Sequence, residues 1–241
     1  MQLYFIRHAQ SENNFLLDRT GSYDGRSEDP ELSDLGILQV KQLAEFLSRP
    51  QPGKQINKPS DPQNVQGFQL THLYTSLMVR AVATGVGISK TTRLSLLGWP
   101  DLHEVGGIYQ KDRQTGMEEG RPGHCKSYFE QRFPTLILPC SLGEEGWWNK
   151  PHEGKQEGLL RARRVYQEIV MRHGRSNDRV GLISHGDFYQ MFLSVVLDLP
   201  ADNPPFFEIN NAAVSRFDFE SNKVRVVYLN RLDYMAPELI T

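Results

Sequence analysis

Two Arg-His pairs are candidates for chemistry, because each is followed by a serine three positions after the histidine. One pair lies in IRHAQS (6–11) and the other in MRHGRS (171–176). A neutral imidazole can attack phosphorus when cationic side chains neutralise the phosphate and hold it in line with the ring nitrogen. Which pair could do so depends on the elements that position it.

The second pair lies at the end of a predicted helix that runs from about Glu157 to His173. Arg172 and His173 favour the negative end of the helix dipole, and Gly174 suits a left-handed C-cap. MRHGRS is therefore interpreted as a helix stop. The apolar side of this helix is predicted to carry Leu159, Ala162, Tyr166, Ile169 and Val170.

The first pair follows QLYFI (2–6), a run of strand length that is predicted to be buried. Arg7 and His8 therefore leave the carboxyl end of this strand. Open α/β sheets bind their ligands in the crevice outside the carboxyl ends of their strands. The sequence thus favours Arg7 and His8 as the reactive pair.

Strands and helices are predicted to alternate along the chain. Ser33 is predicted to cap a helix whose apolar face carries Val40, Leu43 and Leu47. The alternation predicts an α/β fold, a three-layer sandwich with a mostly parallel central sheet and helices on both faces. Further strands are predicted at THLYTS (71–76), VGLIS (180–184), AVSRFDF (213–219) and VRVVYLN (224–230).

Three segments depart from a simple alternation. The last two predicted strands, separated by ESN, form a predicted hairpin, so one antiparallel edge strand is expected. Residues 49–69 are rich in Pro, Gln, Asn and Gly, which predicts a long surface loop. Residues 106–156 are interpreted as an inserted irregular or helical subdomain over the active site, within a single domain that spans residues 1–241.

Composition excludes several classes of function. The net charge is −2, from 27 Lys and Arg against 29 Asp and Glu, so no bulk positive field favours nucleic acid. No apolar run approaches the roughly 20 residues of a membrane span, and MQLYFIRH does not resemble a signal peptide, which predicts a soluble, cytoplasmic protein. The two cysteines lack CxxC spacing, and neither HExxH nor a P-loop occurs.

Five segments in order resemble the histidine phosphatase superfamily, in particular its phosphoglycerate-mutase-like group, whose signature R-H-G-x-[ST] follows the first strand. Their order is far more specific than any one of them. They are RHAQSENN (7–14), LSDLG (32–36) with Gln39, YTSLMVRAVATG (74–85), DLHEVGG (101–107) and ISHGDF (183–188).

The resemblance implies a role for each matched residue. His8 would form a phosphohistidine, and Arg7, Arg80 and His185 would bind the phosphate oxygens. Glu104 would protonate the leaving group and later deprotonate the attacking water. His185 is expected to be protonated while His8 is neutral, and no metal or other cofactor is required. Further substrate-binding positions are Gln10, Ser11, Asn14 and Gly186.

Two positions leave questions within this resemblance. Ala9 stands where the family usually has Gly, which would cost of order 1 kcal/mol if its φ were positive. Asp187 is an alternative proton donor, because a neighbouring branch uses an acid just after the second histidine. The HEVGG context favours Glu104.

The implied function is hydrolysis of a small phosphorylated metabolite through a phosphohistidine. The alternative is a cofactor-dependent phosphoglycerate-type mutase. Those mutases typically carry R-L-N-E-R-H-Y-G around the donor and a paired Arg further on, whereas this chain has PDLHEVGGIYQ, which favours hydrolysis. A third alternative is a catalytically inactive relative that binds phosphorylated ligands, but the complete residue set argues against it.

The expected partner is a small-molecule phosphomonoester, with no nucleic acid and no membrane, and a homodimer is a further option. The leaving group would face the inserted segment. Its candidate lining residues are Tyr109, Lys111, Arg113, Arg121, Trp147 and Trp148, although aromatic residues in such a stretch often form a small local core.

Overall fold

A computed structural model describes residues 1–49, 61–112, 114–200, 204–220 and 223–241. The helices are α1 (Glu12–Thr20), α2 (Asp34–Ser48), α3 (Val79–Thr92), α4 (Lys126–Arg132), α5 (Lys155–His173) and α6 (Gly186–Val196). The strands are β1 (Gln2–Arg7), β2 (His72–Thr75), β3 (Leu96–Gly98), β4 (Tyr109–Lys111), β5 (Glu118–Gly120), β6 (Leu136–Ile137), β7 (Arg179–Ser184), β8 (Val214–Glu220) and β9 (Lys223–Arg231).

Within the described residues, the main sheet has seven strands in the order β6-β3-β2-β7-β1-β8-β9. The first five run parallel, and β8 pairs antiparallel with both β1 and β9. The predicted mostly parallel sheet and the carboxyl-terminal hairpin are thus confirmed, with β9 forming the outer strand. Because β1, β2 and β7 are adjacent and parallel, their carboxyl ends meet at one edge of the sheet.

Alternation along β1 divides the core into two layers. Tyr4 and Ile6 belong to the cluster that includes the buried side chains of α2 and α3, whereas Leu3 and Phe5 belong to the cluster of α5 and α6. Phe5 is fully buried, with its ring centroid 5.0 Å from that of Tyr189. Each such apolar side chain contributes about 1.5–3 kcal/mol through burial. The predicted three-layer arrangement is confirmed.

Helix α2 begins as the sequence predicts. The Ser33 hydroxyl accepts a hydrogen bond from the Gly36 N–H at 3.0 Å, and the apolar face of the helix is buried. Its buried side chains include Val40, Leu43 and Leu47.

Helix α5 ends at His173, as MRHGRS predicts, but the predicted left-handed cap is wrong. Gly174 has a φ of −60°, and a Cβ there would lie 2.5 Å from the Val170 carbonyl oxygen. With right-handed backbone angles, residue 174 lies too close to the Val170 carbonyl for a side chain. Glycine is therefore needed at this position. The buried face also differs from the prediction, since Val165 is fully buried and Val170 is exposed.

His173 is a structural residue at the opposite edge of the sheet from the carboxyl ends of the strands. Its Nδ1 lies 2.7 Å from Asp178 Oδ2, and its Nε2 lies 3.1 Å from the Tyr74 hydroxyl. Both ring nitrogens are thus engaged, and the residue is buried. These contacts join the end of α5 to β2 and to the segment before β7.

The two segments predicted to be irregular, residues 49–69 and 106–156, differ in structure. Residues 50–60 of the predicted surface loop lie outside the described part of the chain, but the prediction is wrong for its end, where Phe68 is buried against Tyr4. Within residues 106–156, β4 and β5 form a separate two-stranded sheet, whereas β6 extends the main sheet beside β3.

Among the described residues, no helix is both long and apolar enough to cross a membrane.

Candidate active site

The carboxyl ends of β1, β2 and β7 bring three polar residues together. His8 follows β1, Ser76 follows β2 and His185 follows β7, and the His8 N–H donates to the Ser184 carbonyl at 2.9 Å. The rings of His8 and His185 have centroids 5.0 Å apart. Helix α3 adds the buried Arg80 beside them.

His8 is held as a neutral ring with one defined tautomer. Its Nδ1 lies 2.7 Å from the Ala9 carbonyl oxygen, which can only accept, so Nδ1 carries the proton. Its Nε2 accepts a hydrogen bond from Arg80 Nε at 3.2 Å. Burial, together with the positive charges of Arg80 and Arg7, holds the pKa of His8 well below its usual value. The Nε2 lone pair is therefore available for attack.

Ala9 fits its position without backbone strain. It is not among the residues with positive φ, so the cost of about 1 kcal/mol expected for that conformation does not arise. Its N–H donates to Thr84 Oγ1 at 3.1 Å, and its methyl group is fully buried in the core cluster of α2 and α3.

Replacing Ala9 by Gly is therefore expected to cost about 1 kcal/mol of stability through lost methyl burial and added backbone freedom. Activity should change by less than about threefold, because the backbone conformation needs no glycine. Urea unfolding and kcat/KM for an aryl phosphate check this. A gain in activity above about tenfold would show instead that the methyl group obstructs the substrate.

Two buried donors around His8 lack partners. Among the described residues, neither Arg7 Nε nor His185 Nδ1 has a hydrogen-bond partner. Arg7 is held by a bond from its NH1 to the Ile209 carbonyl at 2.5 Å. A Cβ at Gly186 would lie 3.5 Å from Arg7 Nε, which is an ordinary contact, so Gly186 lies directly beside this unpaired donor. Buried unpaired N–H groups are costly, which indicates a site for an oxygen-rich ligand.

The ligand-free pocket disfavours the protonated form of His185. The expectation that His185 is protonated concerns the phosphate-bound site and remains a prediction. Burial and the charge of Arg80 hold its pKa well below the usual value. Its Nε2 lies 2.9 Å from Ser76 Oγ, which accepts from the Met78 N–H and has its own proton to donate. With that donation, His185 Nδ1 keeps its proton, so a neutral ring can still donate to a phosphate oxygen.

Arg80 is oriented by groups on three sides. Besides the bond to His8, its NH2 lies 3.1 Å from Met78 Sδ, and its NH1 lies 3.7 Å from Asp29 Oδ1. The same Asp29 oxygen accepts from the Val79 N–H at 3.0 Å. Burial raises the pKa of Asp29 to about 7. Asp29 was not predicted from the sequence, where it lies in a polar run without a motif.

Glu104 lies at the amino end of α6. Its Oε1 accepts from the N–H groups of Val105 (3.0 Å) and Phe188 (2.8 Å), and its Oε2 accepts from the Asp187 N–H at 3.2 Å. Burial, followed by the negative charge of Asp187, raises the pKa of Glu104. The Asp187 side chain is exposed. The raised pKa suits Glu104 to the role of general acid.

The four predicted substrate-binding positions have different surroundings. Ser11 caps α1, a helix that the sequence did not predict, and Asn14 completes its capping box. The Gln10 amide donates to Asp18 at 2.9 Å and accepts from Ser33 at 2.7 Å, so its polar atoms join α1 to α2. These contacts position the loop after His8. Phosphate contacts from Gln10, Ser11, Asn14 and Gly186 remain predictions.

The segment after α1 contacts β4 and β5. The Arg26 guanidinium lies 4.2 Å from the centroid of the Tyr109 ring, and Arg121 pairs with Glu28 at 3.6 Å. Of the other candidate lining residues, Lys111 pairs with Glu118 at the surface, and Arg113 lies outside the described residues.

Trp147 and Trp148 form a small local core with Met78 and Ile108. Gly107 has a φ of +72°, and a Cβ there would lie 2.2 Å from the Trp148 ring. The glycine is thus required both by its backbone angle and by the close approach of the indole. The alternative reading of these tryptophans as a local core is confirmed.

Comparisons with known proteins place the chain in a family. The profile of the histidine phosphatase superfamily (branch 1) matches residues 3–59 and 62–232. A probable phosphoglycerate mutase GpmB of Proteus mirabilis is 23% identical over 231 residues, which cover 92% of this chain and 86% of that protein. A putative phosphoserine phosphatase 2 of Hydrogenobacter thermophilus is 24% identical over 239 residues, which cover 96% of each chain.

Solved structures share the fold over nearly the whole chain. A mycobacterial glucosyl-3-phosphoglycerate phosphatase in complex with VO3 superposes with a TM-score of 0.59 at 21% identity, covering 95% of this chain and 98% of that one. A phosphoserine phosphatase of Entamoeba histolytica in complex with 3-phosphoglyceric acid gives 0.58 at 14% identity, covering 98% and 99%. With a family profile matched along nearly its whole length, the chain belongs to the histidine phosphatase superfamily, branch 1.

Proposed function

We propose that the protein is a metal-independent phosphomonoester hydrolase that acts on a small phosphorylated metabolite through a phosphohistidine. The observation that carries this proposal is the pair of unpaired buried donors, Arg7 Nε and His185 Nδ1, beside the neutral ring of His8. A phosphate group offers several acceptor oxygens and satisfies such donors together. The relatives named above as phosphatases support the same reaction class.

The first step transfers the phosphoryl group to His8. Its Nε2 lone pair forms the bond to phosphorus while the bond from phosphorus to the leaving oxygen breaks. Arg80 Nε, which donates to this nitrogen in the ligand-free site, is placed to donate to a phosphate oxygen instead. The leaving oxygen takes the proton of Glu104. The Nδ1 proton stays on the ring, hydrogen-bonded to the Ala9 carbonyl, so the ring takes part in no proton transfer.

The second step returns the site to its starting state. The carboxylate of Glu104 takes a proton from water as the water oxygen attacks phosphorus, and the bond between phosphorus and His8 Nε2 breaks. The products are inorganic phosphate and neutral His8, and Glu104 is again protonated. The raised pKa of Glu104 suits both roles, because the group must hold a proton in the first step and accept one in the second.

A release assay with p-nitrophenyl phosphate, followed by a panel of phosphorylated metabolites, tests this function. We expect turnover of the aryl phosphate and acid-labile labelling of His8 from a ³²P-labelled substrate. Phosphoryl exchange between two hydroxyl groups that requires a bisphosphorylated cofactor would support a mutase instead. Phosphate binding without turnover would indicate a binding protein.

Activity is expected to persist in EDTA without added divalent cation, because Arg7, Arg80 and His185 supply the donors for the phosphate. Vanadate and inorganic phosphate should inhibit competitively, since both present oxygens to the same donors. Initial rates with and without EDTA and with each inhibitor check this. Loss of activity in EDTA that Mg²⁺ or Zn²⁺ restores would contradict metal independence.

A further inference from the structure

Arg161, on helix α5, is 1% exposed, which is exceptional for a charged side chain. Its Nε donates to Glu153 Oε1 at 2.8 Å and its NH2 to Glu153 Oε2 at 2.5 Å. This two-point ion pair compensates the buried charge on one edge of the guanidinium. The remaining nitrogen, NH1, is directed away from Glu153 and towards the loop that carries Glu104.

The NH1 group holds the chain immediately before Glu104. It donates to the Asp101 carbonyl at 2.8 Å and to the His103 carbonyl at 2.8 Å. The intervening Leu102 carbonyl accepts from Ser184 Oγ at 2.7 Å. Three consecutive carbonyl groups are therefore fixed, two of them by one side chain, and the position of the Glu104 backbone follows from them.

Arg161 also contacts the other side of Glu104. Its guanidinium lies 4.4 Å from the centroid of the Phe188 ring, and the Phe188 N–H donates to Glu104 Oε1 at 2.8 Å. One buried cation thus contacts both the loop that carries the carboxyl group and the residue that holds that group. Glu153 adds a third connection, because its N–H donates to the Gly106 carbonyl at 3.2 Å.

We propose that Arg161 is a positioning residue that keeps Glu104 in place for proton transfer. This inference rests on the proposed function, in which Glu104 is the general acid. A purely structural ion pair would lower all activity in step with the folded fraction. A positioning role instead affects the two steps in which Glu104 transfers a proton, and only the first of these enters kcat/KM. In that first step, misplacement of an acid affects alkoxide leaving groups more than stable phenolates.

Arg161→Lys is the discriminating variant. Lysine keeps a positive charge near Glu153 but lacks the planar fork that reaches Glu153 and both carbonyls together. We expect kcat/KM for glycerol 2-phosphate to fall about 10- to 100-fold, and for p-nitrophenyl phosphate less than about threefold. Arg164→Lys, an exposed position on the same helix, is the matched control and should change neither value.

A double-mutant cycle with Glu104→Gln shows whether Arg161 acts through Glu104. In that background, Arg161→Lys should cause no further loss with the alkyl substrate. If Arg161→Lys lowers kcat/KM equally for both substrates, or lowers it further in the Glu104→Gln background, this proposal is overturned while the proposed function stands. If Glu104→Gln does not distinguish the two substrates, the acid role of Glu104 fails, and this proposal fails with it.

Folding of each variant is checked by circular dichroism and thermal unfolding. If Arg161→Lys does not fold, Glu153→Gln replaces it, because this variant leaves Arg161 in place and weakens only its two-point pair. We then expect kcat/KM for glycerol 2-phosphate to fall about 3- to 10-fold more than kcat/KM for p-nitrophenyl phosphate. A folded Glu153→Gln variant that affects both substrates equally overturns the proposal.

Discussion

His8→Ala is expected to abolish phosphate release, with kcat falling by more than about 10⁴-fold. The variant removes the Nε2 lone pair that would attack phosphorus, whereas the other ring nitrogen, Nδ1, is bonded to the Ala9 carbonyl. The cationic groups remain, so phosphate or vanadate should still bind. Stopped assays with p-nitrophenyl phosphate and a calorimetric titration with phosphate measure the two effects separately.

His173→Ala is the matched control, because it removes the histidine of the second Arg-His pair. Loss of its hydrogen bonds to Asp178 and Tyr74 should cost about 1–3 kcal/mol of stability. Its kcat should stay within about threefold of the parent value, since the residue lies at the far edge of the sheet. Comparable losses of kcat in two folded variants would contradict the assignment of His8.

The position of the reactive pair was predictable because it depends on local and topological rules. QLYFI predicts a buried strand, and the carboxyl-end rule then places Arg7 and His8 at the ligand crevice. Ser33 likewise marks the start of α2. The same rule also applies to Ser76, the last residue of the predicted strand THLYTS, which was not among the predicted site residues.

Other features depend on contacts between distant parts of the chain, and the sequence does not show them. Asp29 becomes part of the site only because the fold brings it beside Arg80. The lowered pKa of His185 results from burial combined with neighbouring positive charge, which no motif encodes. Helix α1 was missed because its capping box pairs Ser11 with Asn14 rather than with the usual Glu or Gln.

Glu104→Gln is expected to lower kcat/KM for alkyl phosphates by about 10²- to 10³-fold, and for aryl phosphates by less than about tenfold. Glutamine preserves the size of the side chain, and its carbonyl oxygen can still accept from Phe188 N–H. It cannot supply a proton to an alkoxide, whereas a phenolate leaves without one. Rates for p-nitrophenyl phosphate and glycerol 2-phosphate, measured in both proteins, give the comparison.

The pH dependence of the same reaction follows from the pKa shifts. Only protonated Glu104 supplies the proton, and burial and the charge of Asp187 raise its pKa. Turnover of alkyl phosphates should therefore persist above the ordinary pKa of a carboxyl group. It should fall as pH rises through the raised pKa of Glu104. His8 has a lowered pKa and stays neutral well into the acidic range, so its protonation limits activity only at lower pH.

The expected profile for alkyl phosphates therefore peaks between roughly pH 5 and 7, and we expect its alkaline limb to report the loss of the Glu104 proton. Glu104→Gln should remove that limb, since the residual rate no longer depends on a titrating acid. If the limb persists unchanged in the variant, another group, with Asp187 as the nearest candidate, donates the proton. A parent profile that still rises above about pH 8 would show that no protonated carboxyl group takes part in the rate-limiting step.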